Sequence, residues 1–332
     1  KLLVYRDDAG KSHPVTTPAD WGLRRSRILT DMQSVMGPVP DPSVRVPLDV
    51  EWGEEIDCGK YVRRKLTFAS EPNLRVPAWL LVPKKLKGPA PAMLCLHPTN
   101  KLGKDQTVGL DDSKSRHYAV ELADRGYVCL VPDYPSFGDY PYDFASTRTR
   151  SAAKSGTMKA IWDNMRAIDL LETLPEVDNT KIGAIGHSLG GHNALFTAAL
   201  DLRIRAVVSS CGFTAFAKYK GGDLKGWSQD RYMPRVASAY HNDPEEMPFD
   251  FHEVVAALAP RPFFASAPAN DSNFDNAGVR EVMAAAGTVY ELLDAKDNLV
   301  AEYPDAEHDF PDAQREAAYA FLDKAVKNKK GK

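Results

Sequence analysis

The chain has 332 residues, 43% of them hydrophobic and 26% charged, and a formal net charge of −3. No apolar stretch approaches the roughly twenty residues that a membrane-spanning helix requires, and the mixed charge offers no basic face for nucleic acid. Length alone allows one large domain or two average ones. A start at Lys1, without methionine, leads us to expect that an upstream segment has been removed or is not included; were it a secretory leader, the protein would be secreted or periplasmic.

Residues 1–50 are expected to form a helix near Asp20–Met36 and then a proline-rich extended arm (GPVPDPSVRVP), both packed on a core domain of residues 51–332. Strand-like runs follow at about 60–68, 74–82, 91–96, 127–131, 181–186, 205–210, 262–267 and 298–303. From the third onward they alternate with helix-like runs at about 115–125, 156–174, 189–200, 251–258, 277–286 and 311–327. Strand and helix in alternation predict an α/β fold: a mostly parallel sheet of about eight strands covered by helices on both faces. The first two runs have no helix between them and should make an antiparallel edge. Gly212–Pro248 interrupts the pattern and is rich in aromatic and arginine side chains, as expected of a lid over the carboxyl ends of the strands. The Lys327–Lys332 tail (KNKKGK) reads as a frayed terminus.

The four cysteines, at 58, 95, 129 and 211, lie in or beside apolar runs without metal-site spacing, and are expected to be buried free thiols. Neither a metal nor a cofactor is implied.

One motif carries chemistry. Gly186-His187-Ser188-Leu189-Gly190 is a G-x-S-x-G match between a strand-like run (KIGAI) and a helix-like run (NALFTAAL), so Ser188 falls on the turn between them. A serine in such a turn has its hydroxyl exposed above the sheet, beside the unpaired amides of the helix start. A base and an orienting acid should then follow in the order acid, histidine, each just beyond a strand. Asp271 lies in the loop after RPFFASA, with Asp275 as its competitor, and His308 lies in the loop after LVAEY, beside Asp309. His187 and His192 sit on the elbow itself, where they cannot approach the hydroxyl from across the sheet, and His97 at a strand end reads as structural. The oxyanion needs two preorganised donors. The Leu189 amide is one, and the loop His97-Pro98-Thr99-Asn100 should give the other. Pro98 has no N–H, which leaves Thr99, with Asn100 as fallback.

These segments together resemble the α/β-hydrolase superfamily from about Lys60 to Lys327. GHSLGG, HPTN, the tract MPFDFHEVVAALAPRPFFASAPANDSNFD and YPDAEHDFP are similar to its dienelactone-hydrolase and acetyl xylan esterase branch, which includes bacterial carbohydrate esterases. The resemblance implies a serine esterase with Ser188, Asp271 and His308 as triad and Thr99 at the oxyanion position, acting on a small-molecule or oligosaccharide ester. Dienelactone hydrolases proper carry cysteine where this chain has Ser188. Bacterial glucuronoyl esterases carry arginine where it has Leu189. Within the insert, Trp227 and Arg231 are candidate substrate contacts. A glucuronoyl esterase would use the same machinery with a cation for the uronate, drawn from Arg231, Arg235 or Lys104. A prolyl-oligopeptidase-like peptidase would need a propeller for which the chain has no length, and a ligand-binding protein would need no triad. The oligomeric state is left open.

Overall fold

In a computed structural model that describes residues 2–7, 9–147 and 151–327, the chain opens with a hairpin and a long helix. The hairpin pairs β1 (Val4–Arg6) with β2 (Ser12–Pro14), and the helix is α1 (Pro18–Met36). The Thr17 hydroxyl accepts from the Asp20 amide at 3.2 Å while the Asp20 carboxylate accepts from the Thr17 amide at 2.9 Å, a reciprocal cap that fixes the helix start. Trp21, Ile28, Met32 and Met36 bury one stripe of α1 in the core. The tail beyond Lys327 lies outside the described residues.

The sheet is built from β3 (Glu51–Asp57), β4 (Tyr61–Glu71), β5 (Leu74–Pro83), β6 (Ala90–Leu96), β7 (Val128–Pro132), β8 (Val177–His187), β9 (Ile204–Ser210), β10 (Phe263–Ser266) and β11 (Leu299–Glu302). Their spatial order is β11-β10-β9-β8-β6-β7-β5-β4-β3. The six strands from β11 to β7 are parallel, whereas β7 with β5, β5 with β4 and β4 with β3 are antiparallel. The sheet therefore has nine strands of mixed orientation where about eight were expected. The additional strand is β3, whose sequence EWGEEID carries four acids and no run of buried side chains. Pairing with β4 holds it, and burial does not, so hydrophobic periodicity leaves it unread.

The helices beyond α1 are α2 (Lys104–Thr107), α3 (Tyr118–Asp124), α4 (Phe144–Thr147), α5 (Gly156–Thr173), α6 (Leu189–Leu200), α7 (Arg235–Ser238), α8 (Phe251–Leu258), α9 (Asn276–Leu292) and α10 (Asp312–Leu322). Alternate residues of the central strands enter two separate cores. Ala92, Leu94 and Leu96 of β6 face one side with residues of α5, α6, α8 and α9, and Met93 and Cys95 face the other with residues of α3 and α10. Burial on both faces is why these strands read as unbroken apolar runs. Helix α9 runs to Leu292, beyond the expected end near residue 286, because Val289 and Tyr290 are buried against the core although Gly287 and Thr288 are poor helix formers.

A buried charge cluster ties α5 to β4. The Lys159 ammonium pairs with Asp163 and, at 3.1 Å, with Glu71, and bonds Ser70 Oγ at 3.0 Å. Glu71 in turn accepts from Ser151 Oγ and the Ala152 amide, and Tyr140 donates to Asp163, so the cluster also anchors the segment around residues 140 and 151–152. Burial alone would push the Lys159 ammonium down, but the Asp163 carboxylate, Tyr140 and Glu71 hold it above its ordinary value. Burial raises the Asp163 carboxyl above its own. Replacing Lys159 with Met strands two buried carboxylates. We expect a loss of about 3–5 kcal/mol in denaturant unfolding at neutral pH. The loss should shrink in acid as the carboxylates take up protons, and a variant as stable as the wild type at pH 7 would show the cluster to be energetically idle.

Candidate active site

Ser188 follows the last residue of β8 and precedes the first of α6, with φ 54° and ψ −117°, a backbone conformation that a residue with a Cβ occupies only under constraint. The constraint is close packing. A Cβ on Gly190 would lie 1.9 Å from the carbonyl oxygen of Leu96, and one on Gly186 would lie 2.2 Å from the Gly190 backbone. The Ser188 amide donates to the Ser210 carbonyl at 2.8 Å, which ties the turn to the end of β9. Small residues on either side are therefore what the turn requires.

Beyond β10 and β11 the two chains stay zipped together. The amides of Ala267, Ala269 and Asn270 donate to the carbonyls of Glu302, Pro304 and Ala306 at 2.8–3.0 Å, and Asn270 Nδ2 donates to Asp305 at 2.9 Å. This extended pairing brings Asp271 and His308 side by side. His308 Nδ1 lies 2.9 Å from both carboxylate oxygens of Asp271, and His308 Nε2 lies 2.9 Å from Ser188 Oγ. Burial tends to raise the Asp271 carboxyl, but its bond to His308, the imidazole charge and the amides of Asn273 and Phe274 hold it below the usual carboxylate range. It is a stable anion at neutral pH. The competing acids are engaged elsewhere: Asp275 accepts from the amides of Ala277 and Gly278 as the cap of α9, and Asp309 pairs with Arg116.

Arg116 also donates to the His308 carbonyl at 3.1 Å, so one guanidinium holds the histidine loop from behind. It stands far from His308 in the chain, and no local pattern marks it. His187 packs at 5.0 Å from the His308 ring and bonds Ser210 Oγ at 3.0 Å. Burial, with Arg116 and His308 adding to it, drives its pKa well down, so it stays neutral. His192 is likewise pushed down to about 3 by burial. Both elbow histidines are buried, neutral rings.

Ser188 and His308 open onto a cleft of about 360 Å³ lined by Thr99, Leu189, His192, Tyr219, Gly226, Trp227, Gln229, Tyr232, Asn273 and Phe274. Thr99 and Leu189 thus reach the same space, and among the described residues neither amide donates to a protein acceptor. Trp227 forms part of the wall, 4.9 Å from His192 and 5.5 Å from Phe251 between ring centres, and Phe213 and Phe216 are buried with it against Phe251 in the main core. Arg231 is not brought to the cleft. Its guanidinium lies 5.0 Å from the centre of the Phe137 ring, and its carbonyl is taken by the Tyr134 hydroxyl. Lys104 is fully buried between Asp133 and Asp139, at 2.8 Å from each, and Arg235 donates to the Ser34 carbonyl at 2.7 Å. Among the described residues, no lysine, arginine, aspartate or glutamate lines the cleft. Gln229, Asn273 and Phe274 were not singled out in the sequence, and Tyr219 and Tyr232 stood there only among the aromatics of the 212–248 insert, because only the fold of an irregular segment decides which of its side chains face inward.

Cys211, Asp271 and His308 are the group of described residues nearest to a metal-ligand set. Their ligand atoms lie within 4.8 Å of one another, and the carboxylate and imidazole already bond each other. No described helix is long and apolar enough to cross a membrane.

Comparison with known proteins adds family to geometry. The family described as acetyl xylan esterase (AXE1) matches residues 54–220, and that described as glucuronyl esterase, fungi, matches residues 149–294. The provisionally named hydrolase YtaP of Bacillus subtilis (strain 168) is 28% identical over 273 residues, covering 79% of this chain and 87% of YtaP. Carbohydrate esterase MZ0003, from an unknown prokaryotic organism, is 26% identical, with 84% of this chain and 76% of MZ0003 covered. A solved glucuronoyl esterase from Solibacter usitatus shares the fold with a TM-score of 0.76 at 22% identity, over 98% of this chain and 96% of the other.

The close approach of α6 to β6 yields a direct test. Gly190→Ala should cost about 3 kcal/mol of stability and abolish turnover of an aryl acetate, because the Leu96 carbonyl cannot retreat without moving the strand. Wild-type melting temperature and turnover in that variant would contradict the packing described.

Proposed function

The chain belongs to the acetyl xylan esterase family of carbohydrate esterases, and on that premise we propose that it removes small acyl groups, acetyl above all, from a neutral carbohydrate. Ser188 Oγ attacks the ester carbonyl while His308 Nε2 takes its proton. Asp271 holds the imidazole through Nδ1–H and offsets its charge, and the amides of Leu189 and Thr99 receive the oxyanion. The tetrahedral intermediate collapses as His308 returns the proton to the leaving sugar hydroxyl. Water, deprotonated by His308, then attacks the acyl-Ser188 ester and releases the carboxylic acid. The 212–248 segment acts as the specificity wall above this site, on the 51–332 catalytic domain that residues 1–50 brace.

The observation that carries the acyl preference is the lining of the cleft, which is aromatic and polar and, among the described residues, holds no lysine or arginine. A glucuronoyl esterase is the second reading, favoured by the family match at residues 149–294. Its product is a uronate, an anion, and of the cations the sequence offered for it, Lys104 and Arg235 are bonded elsewhere and Arg231 lies over the Phe137 ring. A panel of acetylated xylo-oligosaccharide against a methyl glucuronoyl ester separates the two. Higher kcat/KM on the acetyl ester is expected, and the reverse order would move the assignment to the uronate.

Ser188→Ala should lower kcat by about 10⁴-fold or more with the melting temperature unchanged. Asp271→Asn should cost up to about 10⁴-fold by mis-setting the histidine tautomer, while Asp275→Asn, which keeps a helix cap, should stay near wild type. The opposite ranking would transfer the acid to Asp275.

Trp227→Ala should reduce kcat/KM on the oligosaccharide ester by about tenfold or more, the scale of a buried aromatic contact, and spare a small aryl acetate. Arg231→Ala should change neither selectively. Equal losses on both esters for Trp227→Ala would make Trp227 a packing residue only.

A further inference from the structure

The inference rests on the reading of the Thr99 amide as an oxyanion donor and asks what aims it. His97 is 2% exposed at the end of β6. Its Nε2 lies 2.8 Å from the backbone nitrogen of Tyr134, and its Nδ1 lies 2.7 Å from the carbonyl oxygen of Pro98. An amide nitrogen can only donate, so Nε2 is the acceptor and carries no proton. The proton therefore sits on Nδ1 and is donated to the Pro98 carbonyl. Burial lowers the pKa of this ring, which keeps the single-proton form in place.

The Pro98 carbonyl and the Thr99 N–H belong to one peptide unit, and that peptide is not among the cis bonds of the described chain. A trans peptide is planar, with C=O and N–H antiparallel. Holding the carbonyl toward the imidazole therefore points the Thr99 N–H the opposite way. The same strand end meets the elbow directly, since a Cβ on Gly190 would stand 1.9 Å from the Leu96 oxygen and 2.9 Å from that of His97. The imidazole itself is wedged at 5.7 Å from the Phe137 ring centre.

We propose that His97 is a positioning residue for catalysis: as the Nδ1–H tautomer, set by the Tyr134 amide, it clamps the Pro98 carbonyl and thereby aims the Thr99 amide at the oxyanion. A histidine holding the strand end by bulk alone would serve the fold and leave the amide's direction to other contacts. The two roles call for different atoms. In His97→Asn the side-chain NH₂ can take the place of Nδ1–H and keep the clamp. In His97→Gln the side-chain oxygen can take the place of Nε2 and keep the Tyr134 contact, but nothing donates to Pro98.

Both variants, with wild type and Ser188→Ala, are assayed on an aryl acetate and titrated with an aryl boronic acid, which forms a tetrahedral adduct on the nucleophile. Loss of one oxyanion donor costs about 10²–10³ in kcat, and mis-aiming it should cost about 10–100-fold. His97→Gln should show that loss in kcat with KM within about twofold, and weaken boronate binding in parallel. His97→Asn should retain kcat and boronate affinity within about threefold of wild type. Asn no better than Gln, or losses in both variants that follow melting temperature and fall on KM, would overturn the proposal. If His97→Gln does not fold, the Asn variant decides alone, since a tenfold or greater loss of boronate affinity there contradicts the clamp. Persistent activity in Ser188→Ala would instead sink the underlying reading of the nucleophile, a result distinguishable from either outcome for His97.

Discussion

The approach of α6 to β6, with no side chain between Gly190 and the Leu96 carbonyl, is the contact on which the site depends. It forces the chain to leave β8 and enter the helix within one residue, and that residue is Ser188 at φ 54°. The strain is held by packing on both sides and by the Ser188 amide's bond to β9. Because the helix starts immediately, its first amide, Leu189, has no acceptor among the described residues and lies next to Ser188 in the chain. A single close contact thus presents the hydroxyl and supplies a donor next to it.

Electrostatics around that turn separate one partly buried imidazole from three buried ones. His97, His187 and His192 are enclosed, and burial lowers the pKa of each, which keeps them neutral at the working pH. His308 stands in the cleft beside Ser188 with a carboxylate behind it, and that carboxylate is held below its ordinary range despite its burial. Proton transfer is accordingly confined to the ring that touches Ser188. Arg116 contributes from outside the cleft, fixing the backbone of the His308 loop where no neighbouring residue in sequence could.

What could be read from the sequence was local. The G-x-S-x-G turn, the helix after it, and the acidic and histidine loops after two strands each leave a pattern of a few residues, and the structure places Ser188, His308 and Asp271 in one hydrogen-bonded row. Strand β3 escaped because it is acidic and exposed, held by pairing alone. The roles of Arg231 and Lys104 could not be read because a cation's partner is set by tertiary packing. Phe137 and the Asp133–Asp139 pair capture the two residues, which composition had offered to a substrate. His97 looked structural for a sound local reason, and only the direction of two hydrogen bonds separates support from positioning.

The central claim is that Ser188 is the residue to which the acyl group is transferred. A fluorophosphonate, which reacts with an activated serine and stays attached, locates that residue directly when the labelled protein is digested and mapped by mass spectrometry. Our account predicts one modified residue, Ser188, with labelling abolished in His308→Ala because the base is gone. Modification of another serine, such as Ser210 or Ser209 at the end of β9, or labelling unchanged by the loss of His308, would contradict it.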